Sequence, residues 1–432
     1  MKKLFLLSLL LSIISWPVCA QTEYGLKFSS LVSDNMTLEN AIRLGLENNS
    51  DFLTAQQEII IAEQKVNEAK FRYLPQFALQ GTATWFDLDY PMVLPDEVAS
   101  RFIPGKMLND DERFFGVGIT ATQYLYAGGR INGTLKLARA NLKQIQTRYE
   151  TVKNQVVLNI KRAFTQLLYA KANTELAEKI YNQAAAWYRK NGDLWTQIQN
   201  KSLLAQLENA KDEAKRLEEK ARMEMLVSLN KELNSPLSIS GTLEPVSISG
   251  DLAHYNLWAT EFRPELKSAI YALELDNISI GLALSKRYPD IILNASYEKL
   301  GTQNLDDENK QISLAIRLPL PYNFSSQITQ KKAEQRKSEL KRARMEDVIR
   351  TQVSISYNNM LFWQQEALKR QQTYQELSSL FEKANRNASK AGTAPLQAAL
   401  SFLHTAQDYF VALKENHIAK AELEWAIGKD VE

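Results

Sequence analysis

Two hydrophobic periods divide this chain. Four stretches of about ten residues switch between apolar and polar at every second position, the period of a half-buried strand. In the first, Phe77, Leu79, Gly81, Ala83 and Trp85 share a face opposite Gln80, Thr82 and Thr84. The second sets Phe115, Val117, Ile119 and Ala121 against Gly116, Gly118, Thr120 and Thr122. The third sets Ile291, Leu293, Ala295 and Tyr297 against Asn294, Ser296 and Glu298, with Ile292 an apolar exception on the polar side. The fourth sets Ile312, Leu314, Ile316 and Leu318 against Gln311, Ser313 and Arg317. Elsewhere the period lengthens. Ile131, Leu135, Ala138, Leu142, Ile145, Tyr149, Val152 and Val156 alternate steps of four and three, a heptad seam for packing on other helices.

The helical pattern predicts one helix from about 130 to a break at Lys190-Asn191-Gly192-Asp193, resuming to about Leu233. A second runs from about 326 to Ser389-Lys390-Ala391-Gly392-Thr393-Ala394-Pro395 and resumes to Ile427. Gly and Pro at these points are stop and turn signals. A helix from Ile131 to near Gly192 would span roughly 95 Å at about 1.5 Å per residue. Gly128 and Gly129 stand between the second strand and this helix, where a backbone without Cβ can turn a sharp corner. Pro319 and Pro321 hold the matching place after the fourth strand. Ser50 to Pro75 and Pro264 to Pro289 each span 25 positions, 214 apart, and a strand follows each proline. The chain therefore reads as one unit written twice: residues 21–233, a linker or equatorial segment 234–262 with short irregular elements, and residues 263–432.

Composition narrows the setting. The 432 residues carry a formal charge of +2, which gives no support for nucleic-acid binding. Lys2 and Lys3, the apolar run Leu4–Ile14, and Val18-Cys19-Ala20 read as a secretory signal peptide over residues 1–20. Trp16-Pro17-Val18 does not fit the pattern of a lipid anchor at Cys19. Cleavage after Ala20 leaves a mature chain without cysteine, hence without disulfide or thiolate chemistry. No later run of about 18 apolar residues predicts a transmembrane helix.

Alternation alone fits a soluble sheet with one wet face better than a barrel, whose signal is weak per strand. The secreted setting, strand length and one hairpin per unit shift that balance. Trp85, Phe86, Tyr90, Phe114 and Tyr297 stand where an aromatic girdle would lie. Four strands cannot close a barrel, and an open edge in lipid is prohibitive; membrane strands here would have to be shared by several chains. The acidic connection Asp87–Arg113 and the short Lys299–Lys310 read as solvent-facing loops.

Leu38-Glu39-Asn40-Ala41-Ile42, Glu47-Asn48-Asn49, Leu74-Pro75, Gln123-Tyr124-Leu125-Tyr126-Ala127-Gly128-Gly129-Arg130 and Ala391-Gly392-Thr393 make the chain resemble the TolC family of outer-membrane efflux and secretion channels over about residues 37–428. That resemblance implies an α+β membrane protein of the outer membrane of a Gram-negative bacterium, extending into the periplasm. Three protomers of two structural repeats would give four strands each to a 12-stranded β-barrel, above a long α-helical coiled-coil barrel. It implies a passive exit duct for a tripartite efflux pump or type I secretion system, with a periplasmic adaptor and an inner-membrane transporter as partners. Pro75 and Pro289 would mark the strand starts. Arg189, Lys190, Gly192, Asp193, Arg386, Lys390 and Gly392 would lie at a periplasmic tip that gates the tunnel. Where the best-studied members carry acidic rings six and nine positions after the late glycine, this chain has Ala398 and Ser401, so weaker block by cations is expected.

No residues argue for an enzyme or a cofactor. His254, His404 and His417 lack metal-ligand spacing, and Gly128-Gly129 lacks the Lys-Ser/Thr of a phosphate loop. The rival reading is a periplasmic adaptor or scaffold with long helical hairpins, which would show one hairpin flanked by small β-domains rather than two equivalent units. A secreted coiled-coil protein is the third.

Overall fold

The computed structural model describes residues 35–85, 113–188, 193–301, 305, 307–319, 322–387 and 393–431. They form α1 (Leu38–Asn48), α2 (Ser50–Phe71), β1 (Gln76–Trp85), β2 (Arg113–Ala127), α3 (Arg130–Trp187), α4 (Leu194–Ser228), α5 (Leu252–Phe262), α6 (Pro264–Ser285), β3 (Asp290–Gly301), β4 (Asp307–Arg317), α7 (Phe324–Asn387) and α8 (Ala394–Ile427). The signal peptide, Phe86, Tyr90 and the loop residues 87–112 lie outside the described residues.

The strands make one antiparallel sheet in the order β1-β2-β3-β4. Register places the apolar sets side by side: Leu79 opposite Ile119, Ile119 opposite Tyr297, Leu293 opposite Leu314, Ala295 opposite Ile312. One face is therefore apolar from its base up to Tyr297, with Lys299, Glu308 and Lys310 at its hairpin end, and in the single chain it is bare, with Phe77 71% and Ile312 81% exposed. The other face is polar and curls tightly at two glycines. A Cβ on Gly116 would lie 2.6 Å from Thr82 Oγ1, and one on Gly118 would lie 2.7 Å from Glu298 Cγ. Only hydrogen there lets the flanking strands bend toward each other. β2 reaches 15 residues because a bulge inserts Leu125 between Tyr124 and Tyr126, re-aiming the strand before its corner. Ile292, the exception on the polar side, is buried at the base of the sheet.

Helix order repeats strand order. α2 enters β1, β2 leaves into α3, α6 enters β3 and β4 leads toward α7. Near the sheet, α2 packs on α3, α3 on α6 and α6 on α7; farther away, α4 packs on α3, α3 on α8 and α8 on α7. The 58-residue α3, about 87 Å long at 1.5 Å per residue, and the 64-residue α7 run through both layers. The heptad seam supplies the packing. Leu135 is buried against Val66 and Ala69 of α2, and Tyr149 meets Phe52 with ring centroids 4.8 Å apart.

Two equivalent cores sit at mid-height. Ile160, Leu167, Met225 and Leu229 enclose Ala41 and Leu44 of α1; Val353, Met360, Leu423 and Ile427 enclose Tyr255 and Ala259 of α5. A third cluster near the far end joins Ile180, Leu207, Leu396 and Leu403, with Phe381 stacked on Phe402 at 4.6 Å. Leu38 and Leu252, Ser50 and Pro264, and Gln76 and Asp290 open elements 214 positions apart, and the paired helices have 11 and 22 residues in both halves.

Two boundaries differ from the sequence reading. The segment 234–262 ends in regular helix, α5, capped by Asp251 accepting from the His254 amide at 3.0 Å. α4 stops at Ser228 rather than near Leu233. Asn230 takes a left-handed φ of 51°, and the Lys231 amide closes back on the Leu226 carbonyl at 2.9 Å, a six-to-one stop. Asn is among the few side chains that tolerate this backbone.

Candidate functional site: the wall, its corners and its edges

The corner after β2 needs both glycines, for different reasons. Gly128 has φ 58° and Gly129 φ 80°, where a Cβ is strained. A Cβ on Gly128 would also stand 2.7 Å from Tyr288 Cβ and 2.8 Å from the Ser285 carbonyl, while Gly129 has open space. Arg130, the first residue of α3, donates to Asp290, the first residue of β3. A cation at a helix N-terminus opposes the dipole, so the buried Asp290 carboxylate both neutralises it and ties the two strand–helix junctions together. Both strand starts are built alike. Arg72 and Lys286 end their helices at φ −65°, ψ −12°, and one more turn follows: the Leu74 amide donates to Phe71 at 3.0 Å and the Tyr288 amide to Ser285 at 3.2 Å. Pro75 and Pro289 then force extended chain at the next step. Pro319 follows β4 without regular structure; Pro321 lies outside the described residues.

At mid-height, polar groups join the halves. Arg263 is 3% exposed and fully used. It donates to Glu265 (2.7 Å), the Trp425 carbonyl (3.0 Å) and Gln352 (2.8 Å), and lies over the Trp425 ring at 4.1 Å. Lys161 of α3 donates to Glu424 at 2.7 Å and Asp430 at 2.8 Å; Arg162 donates to Glu422 at 2.5 Å. Burial works against the Lys161 charge, yet these two carboxylates outweigh it and hold the ammonium above its usual range. Asn416, fully buried, closes a two-way bond with Val246, accepting from its amide at 2.7 Å and donating to its carbonyl at 3.1 Å. None of these pairings carried a sequence signal beyond Arg263 standing before a helix-opening proline.

Of the expected tip residues, Arg189, Lys190, Gly192, Lys390 and Gly392 lie outside the described residues. Asp193 caps α4, accepting from the Thr196 amide at 3.2 Å and from its hydroxyl, and these bonds hold its carboxyl below the usual range. Arg386 makes a long surface pair with Glu382 at 3.7 Å. Ala398 and Ser401 are exposed one turn apart on α8.

The wall has two unfinished edges. β1 and β4 each have a neighbour on one side only. The same two margins of the helix row expose apolar side chains: Ile60 and Ile61 on α2, and Val348, Ile355 and Phe362 on α7 at heptad spacing. α7 thus carries two stripes, one buried (Ile349, Val353, Met360, Ala367) and one bare.

Among the described residues, no group of three or more His, Cys, Asp or Glu is placed to hold a metal, and no helix is long and apolar enough to cross a membrane. A cleft of about 680 Å³ between α2 and α3 below the sheet is an open groove lined by Glu68, Arg72, Pro75, Tyr124 and Arg130, without a nucleophile–base arrangement.

The fold defines a class first: a curled sheet, apolar on one face, whose strands continue into a row of very long helices. Residues 41–191 match the family described as Outer membrane efflux protein. Solved structures of outer-membrane channels share the fold. CusC, described as forming a transmembrane channel, is 16% identical, with a TM-score of 0.72 over 91% of this chain and 92% of its own. The outer membrane protein VceC from Vibrio cholerae is 14% identical, at 0.71 over 91% and 97%. The Neisseria gonorrhoeae MtrE outer membrane channel, solved in an open state, is 16% identical, at 0.72 over 91% and 89%. No curated protein matches the sequence. The family match covers residues 41–191, and over most of its length the chain has the fold of these outer-membrane channels.

Proposed function

We propose that three copies of this chain close into an outer-membrane channel, the passive exit duct of a tripartite efflux pump or secretion system. One observation carries it: a four-stranded sheet with a bare face that is apolar from its base up to Tyr297, and two unpaired edges. Each unpaired backbone group costs several kcal/mol in lipid, roughly as in other apolar transfers, so the sheet can enter a membrane only if β4 of one copy pairs with β1 of the next. The helix row supports the same closure. Val156 and Ile349, Ile160 and Val353, and Leu167 and Met360 are each 193 positions apart in the two mid-height cores, so α7 answers to α3. Ala140, on the α3 face enclosed by neighbours, is buried; its counterpart Ala333 on α7 is exposed, a position waiting for the α2 of a second copy. The spacing of 214 between the entry helices and first strands of the two halves, followed by 193 between their long helices, supports reading the halves as copies of one unit. The far ends of the helix pairs, with Asp193, Arg386, Ala398 and Ser401, would be where the tunnel narrows and an adaptor docks beneath it, and the transport role leaves no step for catalysis.

Membrane fractionation followed by sizing in detergent tests this. The expected product is an outer-membrane trimer that needs detergent for recovery. A freely soluble periplasmic monomer would sink the channel and leave the adaptor or scaffold reading.

A further inference from the structure

Charge on the polar face of the sheet is segregated. Toward the hairpin end stand Glu298 and, one residue pair farther out, Asp307, which faces Leu300. Toward the helices stand Arg317 and the Arg130–Asp290 pair. The described positions between them are uncharged. The hairpin-end lysines lie on the other face, where Glu308 already takes Lys299 at 3.4 Å and Lys310 at 3.2 Å. Glu298 is also held in place. Gly118 separates it from Gln80 in the register, and across that bare backbone Gln80 Nε2 donates to Glu298 Oε1 at 3.3 Å. The carboxylate is thereby kept over the curled face. Asp307 and Arg317 are ten residues apart, roughly 33 Å along a strand. That is about three Debye lengths at 0.1 M salt, so the two ends do not cancel.

We propose that Glu298 and Asp307 make the hairpin end of the conduit a cation-favouring vestibule, so that charge selection in this chain is made at the strand wall. This rests on the channel reading, in which three copies bring six such carboxylates around one wet lumen. Among the described residues near the far helix ends, Ala398 and Ser401 carry no charge.

A thiol placed on the same face reads the local potential directly and does so whether or not the tips are open. Ser296 lies one pair below Glu298 on the polar face, and the chain's one cysteine, Cys19, lies in the segment expected to be cleaved. Ser296→Cys, in outer-membrane preparations of the full chain, is reacted with a cationic and an anionic methanethiosulfonate reagent, each rate normalised to a free thiol. A potential of about one kT gives the cationic reagent about a sevenfold advantage at low salt. That advantage should collapse in E298Q/D307N, vanish in high salt and persist in R317Q. A ratio near one in the parent, no change in E298Q/D307N, or an equal effect of R317Q overturns the vestibule alone. A thiol unreactive to both reagents shows a dry face, and that overturns the channel reading and the vestibule with it.

Discussion

The two halves of this molecule reach the same shape with different chemistry. The two entry helices of each half keep their lengths, 11 and 22 residues, but the residues at equivalent joints differ. Asn49 caps α2 by accepting from the Phe52 amide at 3.0 Å, whereas its counterpart Arg263 builds a buried network before α6. Asn230 ends α4 and donates to the Asn48 carbonyl at 2.9 Å; Gly428 ends α8 with φ 80°, where a Cβ would lie 3.1 Å from the Phe262 carbonyl oxygen. Gly45 of α1 faces Ile160, while Ala259 of α5 shares a core with Val353. The difference teaches that a wall of this kind keeps the order of its elements and the length of its entry helices while the side-chain chemistry at each joint varies. Each substitution below asks whether one half depends on its own solution.

The largest effect should come from Arg263. Arg263→Met keeps the stem but strands Glu265, Gln352 and the Trp425 carbonyl; removing one partner of a buried ion pair costs about 3–5 kcal/mol. Asn49→Ala, at the equivalent joint, removes a cap worth only about 1 kcal/mol. Chemical or thermal unfolding of the two variants should differ accordingly. Equal losses would mean that the Arg263 network adds nothing over a simple cap.

Next come the glycines of the first corner, whose counterpart in the second half is a proline segment. Gly128→Ala meets both a left-handed φ and backbone at 2.8 Å, and its cost should exceed about 3 kcal/mol, strain and overpacking acting together. Gly129→Ala meets the φ alone, about 1–2 kcal/mol. Melting temperatures in detergent separate them. If both variants melt alike, contact with Tyr288 and Ser285 is not what constrains the corner.

These joints also show what the sequence could and could not disclose. Strand faces, the two glycines, the long helices and their breaks were legible because period and Gly/Pro punctuation are local signals. The end of α4 is not legible, because Asn230 is an ordinary polar residue until a left-handed φ makes it a stop. α5 hides behind a linker pattern, because Ser, Gly and Pro dominate residues 234–251 just before it. Arg263, Lys161, Asn416 and the Arg130–Asp290 pair act across 160 or more positions or onto backbone, and no local pattern announces such partners. The tip residues named from family resemblance yield a cap at Asp193 and an exposed pair at Arg386.

The Gly45–Ile160 joint permits a sharper test, because the second half already displays the alternative. A Cβ on Gly45 would lie 2.3 Å from Ile160 Cδ1. Gly45→Ala should cost about 1–3 kcal/mol by overpacking. Ile160→Val alone should cost about 0.5–1.5 kcal/mol. Together they copy the Ala259 and Val353 pair, and the valine lacks the clashing methyl. The double variant should be no less stable than Ile160→Val, because alanine also favours α1 over glycine by about 1 kcal/mol. A double-mutant cycle checks this, with coupling of at least about 1 kcal/mol expected. Additive losses would show that the two cores are not interchangeable.

The smallest effect separates the halves by pH. After α4, Arg222 grips the outgoing chain, donating to the Ser235 carbonyl at 3.0 Å and to Leu233 at 3.4 Å, and a guanidinium does not titrate in the working range. In the second half the segment at 244–246 is held by Asn416 and by His417, whose Nε2 donates to the Glu244 carbonyl at 2.8 Å. Burial pushes the His417 imidazole below its ordinary 6.5; the Glu244 bond works against that shift, and nearby Lys420 adds to it. A histidine whose folded pKa is lowered binds its proton more readily in the released state. The hold on 244–246 is therefore complete above about pH 6.5 and weakens as pH falls through that value toward the lower folded pKa. Hydrogen exchange at pH 7.5 and 5.5, corrected for intrinsic rates, should show protection lost at 244–248 and kept at 233–235. His417→Gln should keep the bond to Glu244 and flatten the response. A loss of equal size at both segments would place the sensitivity elsewhere, in the wall as a whole rather than in the chemistry that distinguishes its halves.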